Sequence, residues 1–119
     1  MEQQVSDMLK EAGINVKTAM NRFFDNEEMY FSFLHKFTED GLMKKIKLYI
    51  EQNQVKDAFD AAHTLKGVCA NLSIDSMNEV LNPMVEVLRT GSMEGLLSQY
   101  DKLDEVYKEV INIINICCR

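Results

Sequence analysis

The chain has 119 residues, 46% of them hydrophobic, which suits one domain around one core. Its formal net charge of -6 argues against nucleic acid and anionic membranes as partners, since both repel a negative surface. The cysteines Cys69, Cys117 and Cys118 lack metal-ligand spacing, and an odd number of them points to a reducing compartment.

The start, Met1-Glu2-Gln3-Gln4, lacks the basic-then-apolar pattern of a signal peptide, so a cytoplasmic location is expected. The most apolar stretch, residues 110–118, is interrupted by Asn112 and Asn115 and is too short to span a bilayer. The ending Cys117-Cys118-Arg119 does not match a prenylation box.

One proline, no tryptophan and the absence of β-alternation make the composition helical. A short amphipathic piece over residues 5–12 stops at Gly13. A second covers 16–23. Asp25 or Asn26 then caps a long segment in which Tyr30, Phe33, Leu34 and Phe37, and beyond them Met43, Ile46 and Ile50, recur at helical spacing. One helix over about 26–52 is expected, with a kink at Asp40-Gly41. Further helices are expected over 55–72, 75–89 and 92–116, the second of these kinked or broken at Pro83. Breaks fall at Gly13, near Asn53, around Ser73 and at Gly91. Short connections make successive helices antiparallel neighbours. The predicted fold is all-α: one domain over 1–119, an antiparallel four-helix bundle with one or two short helices at its N-terminal end.

On a helical wheel of residues 55–72, Val55, Ala58, Phe59, Ala62, Leu65, Cys69 and Leu72 gather on a core side. His63 falls on the opposite side with Lys56, Asp60, Gly67 and Asn71, and Ala70 lies at its edge. Lys66 and Gly67, three and four positions after His63, are its surface neighbours. Lys66 flanks the apolar stripe with its stem and reaches outward with its ammonium. A helix-interior glycine costs about 1 kcal/mol against Ala, so Gly67 suggests that space beside His63 matters more than helix stability. A neutral imidazole, with an ordinary pKa of about 6.5, is a competent nucleophile near neutrality. An open imidazole with an adjacent ammonium therefore suits phosphohistidine chemistry.

The run from Ala62-His63-Thr64-Leu65-Lys66-Gly67 through Val68-Cys69-Ala70-Asn71-Leu72 resembles the signature of the histidine-containing phosphotransfer (HPt) family. Gly13-Ile14-Asn15-Val16, Arg22-Phe23, Met29-Tyr30 and Phe37 resemble its N-terminal half, and the likeness spans about residues 5–115. The resemblance implies that His63 accepts a phosphoryl group through Nε2 from an aspartyl phosphate on a receiver domain and passes it to another receiver. Lys66 would stabilise the phosphorylated state and Gly67 would permit close docking, on a surface that includes Thr64, Ala70 and Asn71. The partners implied are response-regulator receivers and a hybrid sensor histidine kinase; a monomer is the default expectation for the chain itself. No cofactor of its own is implied, and Mg²⁺ would come with the receiver. With neither a P-loop nor a kinase-type glycine loop in the sequence, ATP-dependent kinase activity is not expected.

Two positions depart from the family pattern. Ser73 stands where members usually have glycine, and serine resists a left-handed helix end, so a different ending is expected, with Ser73 capping the next helix. Many members place Glu or Gln on that next helix to orient the imidazole. The aligned residue is Val85, and Glu86 beside it is the candidate orienter if Pro83 shifts the register. These departures support an alternative: a phosphorylation-incompetent module of the same fold that regulates a kinase or receiver by docking. A hydrolytic or redox enzyme has no support, because no nucleophile comes with a base and an orienter. His35, beside Lys36, has no comparable neighbours and reads as a solvated residue.

Overall fold

The computed structural model describes residues 1–118. They form α1 (Gln3–Glu11), α2 (Val16–Arg22), α3 (Glu27–Phe37), α4 (Leu42–Glu51), α5 (Val55–Leu72), α6 (Asp75–Arg89) and α7 (Leu96–Cys117). Helix α5 packs against α4 and α6, and α7 closes the bundle against both of these. Helices α1, α2 and α3 lie over its end and sides, with α3 against α5 and α7, and α1 against α7. Among the described residues there is no strand, only an isolated antiparallel bridge between Ile14 and Ile74. The bundle measures 44 × 23 × 20 Å. None of the described helices is long and apolar enough to cross a membrane.

The N-terminal helices are fastened to the α5–α6 junction. Gly13 has φ +84, and a Cβ there would come within 2.2 Å of the Ser76 Cβ, so glycine is required on both counts. The close approach lets Ser76 N–H donate to the Gly13 carbonyl (3.1 Å) and Ser76 Oγ to the Ala12 carbonyl (2.7 Å). Asn15 caps α2 by accepting from Thr18 N, and its own N–H donates to the Ser73 carbonyl (2.9 Å).

The single helix expected over 26–52 is two. Thr38 ends α3, Gly41 takes a left-handed φ of +72, and Asp40 accepts from Leu42 N at 3.0 Å to start α4. Apolar periodicity continues across the break because Leu34 and Phe37 on one side and Met43 and Ile46 on the other are buried in the same core. Phe33, counted with that stripe, is 42% exposed. Helix α7 begins at Leu96, later than expected, after a left-handed Gly95.

Helix α6 runs without a break through Pro83, which is exposed. Leu81, Met84, Val85 and Leu88 are all buried on its core side, and that packing holds the helix through the missing donor. Helix α5 ends in the left-handed conformation after all, with Ser73 at φ +60 and ψ 36. Ser73 does not cap α6, whose N-cap is Ile74. It is buried, and Thr18 Oγ1 donates to its Oγ at 3.0 Å. Beside it Tyr30 Oη donates to the Leu72 carbonyl at 2.7 Å, and burial pushes the Tyr30 phenol above its ordinary pKa. The buried C-terminal end of α5 is thus tied down by side chains from α2 and α3.

Candidate functional site

The site lies on the outer face of α5. Ala58, Ala61, Ala62, Leu65, Cys69 and Leu72 are buried beneath it, and this fixes the rotation of the helix. His63, Thr64, Gly67, Ala70 and Asn71 are exposed, and Lys66 is half-buried at the edge. Lys66's carbonyl accepts from Asn78 Nδ2 of α6 at 3.2 Å, which ties that edge of α5 to its neighbour. A Cβ built on Gly67 would meet nothing within 4 Å. The glycine is therefore not demanded by packing inside the protein, and its helix cost leaves open surface one turn beyond the imidazole.

The ring of His63 stacks on that of Phe59, with centroids 5.6 Å apart and planes inclined by 26°. Phe59 is half-buried, not a full core residue as the wheel suggested. Its exposed part carries the imidazole on one side of the site, and the Arg89 guanidinium lies 5.2 Å from its ring centre. Phe59 and Arg89 are the neighbours that the sequence reading missed. The i, i+4 spacing of Phe59 and His63 was the available signal.

The α6 position expected to face the imidazole carries valine, whose side chain has no hydrogen bond to offer. Val85 is fully buried. Glu86 is exposed and accepts from Arg89 Nε at 3.3 Å, so the register shift that would have turned it toward His63 is absent. Glu86, the expected orienter, instead gives its carboxylate to Arg89, because α6 stays regular through Pro83. Among the described residues no hydrogen bond or ion pair reaches the His63 ring. His35 is exposed and lies 3.1 Å from Glu39 Oε1 one turn on, an ordinary helix-surface pair.

Toward the C-terminal end of α5 the surface changes character. Thr64 spends its hydroxyl on the Asp60 carbonyl (2.9 Å). Asn71 Oδ1 accepts from Arg22 Nη1 at 3.3 Å. Arg22, Phe23, Phe33, Lys36, Val68 and Asn71 line an open, mainly apolar groove of about 510 Å³ between α2, α3 and α5. The Lys36 ammonium lies 5.1 Å from the Phe33 ring centre. The site thus pairs an open nucleophile with an apolar surface edged by Arg22, Lys36 and Asp40, as suits a residue that reacts with a group presented by another protein.

Neither the comparison with curated proteins nor that with solved structures gives a match. A family model described as the Hpt domain matches residues 28–113, which take in α3 from its second residue, α4 to α6 and most of α7. Hpt domains act in phosphotransfer in two-component signalling, interact with receiver domains and kinases, and are phosphocarriers rather than kinases. With its helical bundle and a match over more than half its length, this chain belongs to the Hpt domain family.

Proposed function

We propose that this chain is a phosphorelay intermediate that receives a phosphoryl group on His63 Nε2 from a receiver-domain aspartyl phosphate and returns it to a second receiver. The observation that carries the reading is the pairing of an exposed His63 with Gly67, whose missing side chain leaves space that nothing else in the protein fills. In the forward step the Nε2 lone pair forms an N–P bond as the acyl-phosphate O–P bond breaks, and the receiver's carboxylate leaves. Nδ1 keeps its proton through that step, and the reverse step runs along the same line. The Lys66 ammonium offsets the phosphoryl charge, and the surface of Thr64, Gly67, Ala70 and Asn71 takes the receiver.

On this reading the chain needs no cofactor of its own, Mg²⁺ arrives with the receiver, and the phosphoryl group originates from a hybrid sensor kinase, not from ATP bound here. A cytoplasmic monomer meeting its partners transiently fits the role. Buried Val85 favours a second reading, in which the module docks to a receiver or kinase and carries nothing. A chase experiment separates the two. Labelled receiver is mixed with the chain, removed, and replaced by an unlabelled second receiver. Acid-labile, base-stable label that appears on the chain and then on the second receiver supports the carrier. Binding of both receivers without label supports the docking module.

A further inference from the structure

We infer that Phe59 is the positioning residue of His63, its ring fixing the plane of the imidazole in place of the hydrogen-bonding partner that Val85 cannot supply. The inference rests on the carrier reading of His63. A side chain on a helix leans toward the N-terminus, so His63 lies back over the residue four positions earlier. That residue is Phe59, and the two rings meet at 5.6 Å and 26°, an offset stack. The second torsion of a free imidazole is broad, whereas in-line transfer needs the Nε2 lone pair held in one direction. Among the described residues no hydrogen bond performs that task, and the stack is the one ring contact made by His63.

Phe59 is suited to the role because it is itself held. Its half-buried body rests against the core, and Arg89 of α6 places its guanidinium 5.2 Å from the ring centre. Glu86 in turn accepts from Arg89 Nε at 3.3 Å. A ladder of Glu86, Arg89, Phe59 and His63 therefore spans α6 and α5 and ends on the nucleophile. Glu86 stands at its far end, three contacts away from the imidazole.

The test uses the full chain with Phe59→Leu, which keeps apolar volume, and Phe59→Tyr, which keeps the ring. In the unphosphorylated protein, Phe59→Leu is expected to abolish the ring-current shift of the His63 carbon-bound protons, and Phe59→Tyr to preserve it. In transfer from a phosphorylated receiver, Phe59→Leu is expected to lower the maximal rate about tenfold with the half-saturating receiver concentration unchanged, and Phe59→Tyr to restore the rate. A wild-type rate in Phe59→Leu, or a loss that tyrosine does not rescue, overturns the inference. If Phe59→Leu fails to fold, Arg89→Gln, which removes the cation held against the Phe59 ring, is expected to slow transfer severalfold, and an unchanged rate overturns it equally. A wild-type chain that takes no label defeats the carrier reading instead. The ring-current measurement then decides separately whether Phe59 holds the imidazole, and an unshifted His63 overturns that.

Discussion

The hydroxyls of Thr18 on α2 and Ser73 at the end of α5 lie 3.0 Å apart, and this bond accompanies a serine in a conformation that usually goes to glycine. An L-residue in the left-handed region costs about 1–2 kcal/mol, and the buried hydroxyl bond offsets part of that. Ser73→Gly trades strain for a lost bond and is expected to change stability by less than about 1 kcal/mol. Ser73→Ala keeps the strain and loses the bond, so it should be the less stable of the two by about 1–2 kcal/mol in urea unfolding. Equal stability of the two variants would show that the left-handed end carries no strain.

Gly67 separates stability from docking. With open space where a Cβ would stand, Gly67→Ala is expected to stabilise the helix by about 1 kcal/mol and to raise Tm by several degrees. Gly67→Gln should fold as well yet cut transfer from a receiver about tenfold or more, because the added side chain occupies the approach path. Labelling by a small phosphodonor such as phosphoramidate should survive in the same variant. Parallel loss with both donors would mean that Gly67 serves the chemistry, not the approach.

Lys66 is half-buried, with its stem on the core edge. Lys66→Ala is expected to leave the fold intact and to shorten the lifetime of the phosphorylated state about two- to fivefold, the factor given by a partly exposed charge pair worth about 0.5–1 kcal/mol. Hydrolysis of purified phosphoprotein at constant salt measures it, and raised salt should narrow the difference.

Much of the fold was legible in the sequence. Helices α5 and α6 begin and end where the apolar stripe and its flanking turns put them, and the left-handed residues Gly13, Asn53, Ser73 and Gly91 fall at the expected breaks. The division of α3 from α4 was hidden because Phe37 and Met43 are buried in one core on either side of it, so the pattern does not register the turn between them. Pro83 misled in the opposite sense, since local propensity yields to a well-buried face. At the site, the exposure of His63 and the open surface at Gly67 follow from the wheel. The stack was signalled only by the i, i+4 spacing, because the wheel puts Phe59 on the core side, and the guanidinium beside Phe59 comes from another helix.

Alkaline pH tests the core under that wheel. Burial pushes the Cys69 thiol and, with neighbouring carboxylates adding to it, the Tyr100 phenol up to about 12 each. Both pKa values are raised on folding, so their contribution is fully present below the unfolded values and is lost as pH rises toward the folded ones. For Cys69 the loss begins near the ordinary thiol pKa of 9.0 and continues to about 12. Unfolding free energy should therefore fall between these limits, and Cys69→Val should flatten the lower part of the fall. A profile unaltered by the substitution would place the alkaline sensitivity elsewhere.

The central claim is that His63 carries the phosphoryl group, and intact-mass measurement after exposure to a phosphorylated receiver tests it most directly, wild type against His63→Gln. The account predicts that the wild type gains one phosphoryl group and that His63→Gln gains none while keeping a Tm close to wild type, since the imidazole is exposed and contributes only its contact with Phe59. Equal phosphorylation of the two proteins, or of neither while both bind the receiver, would contradict it.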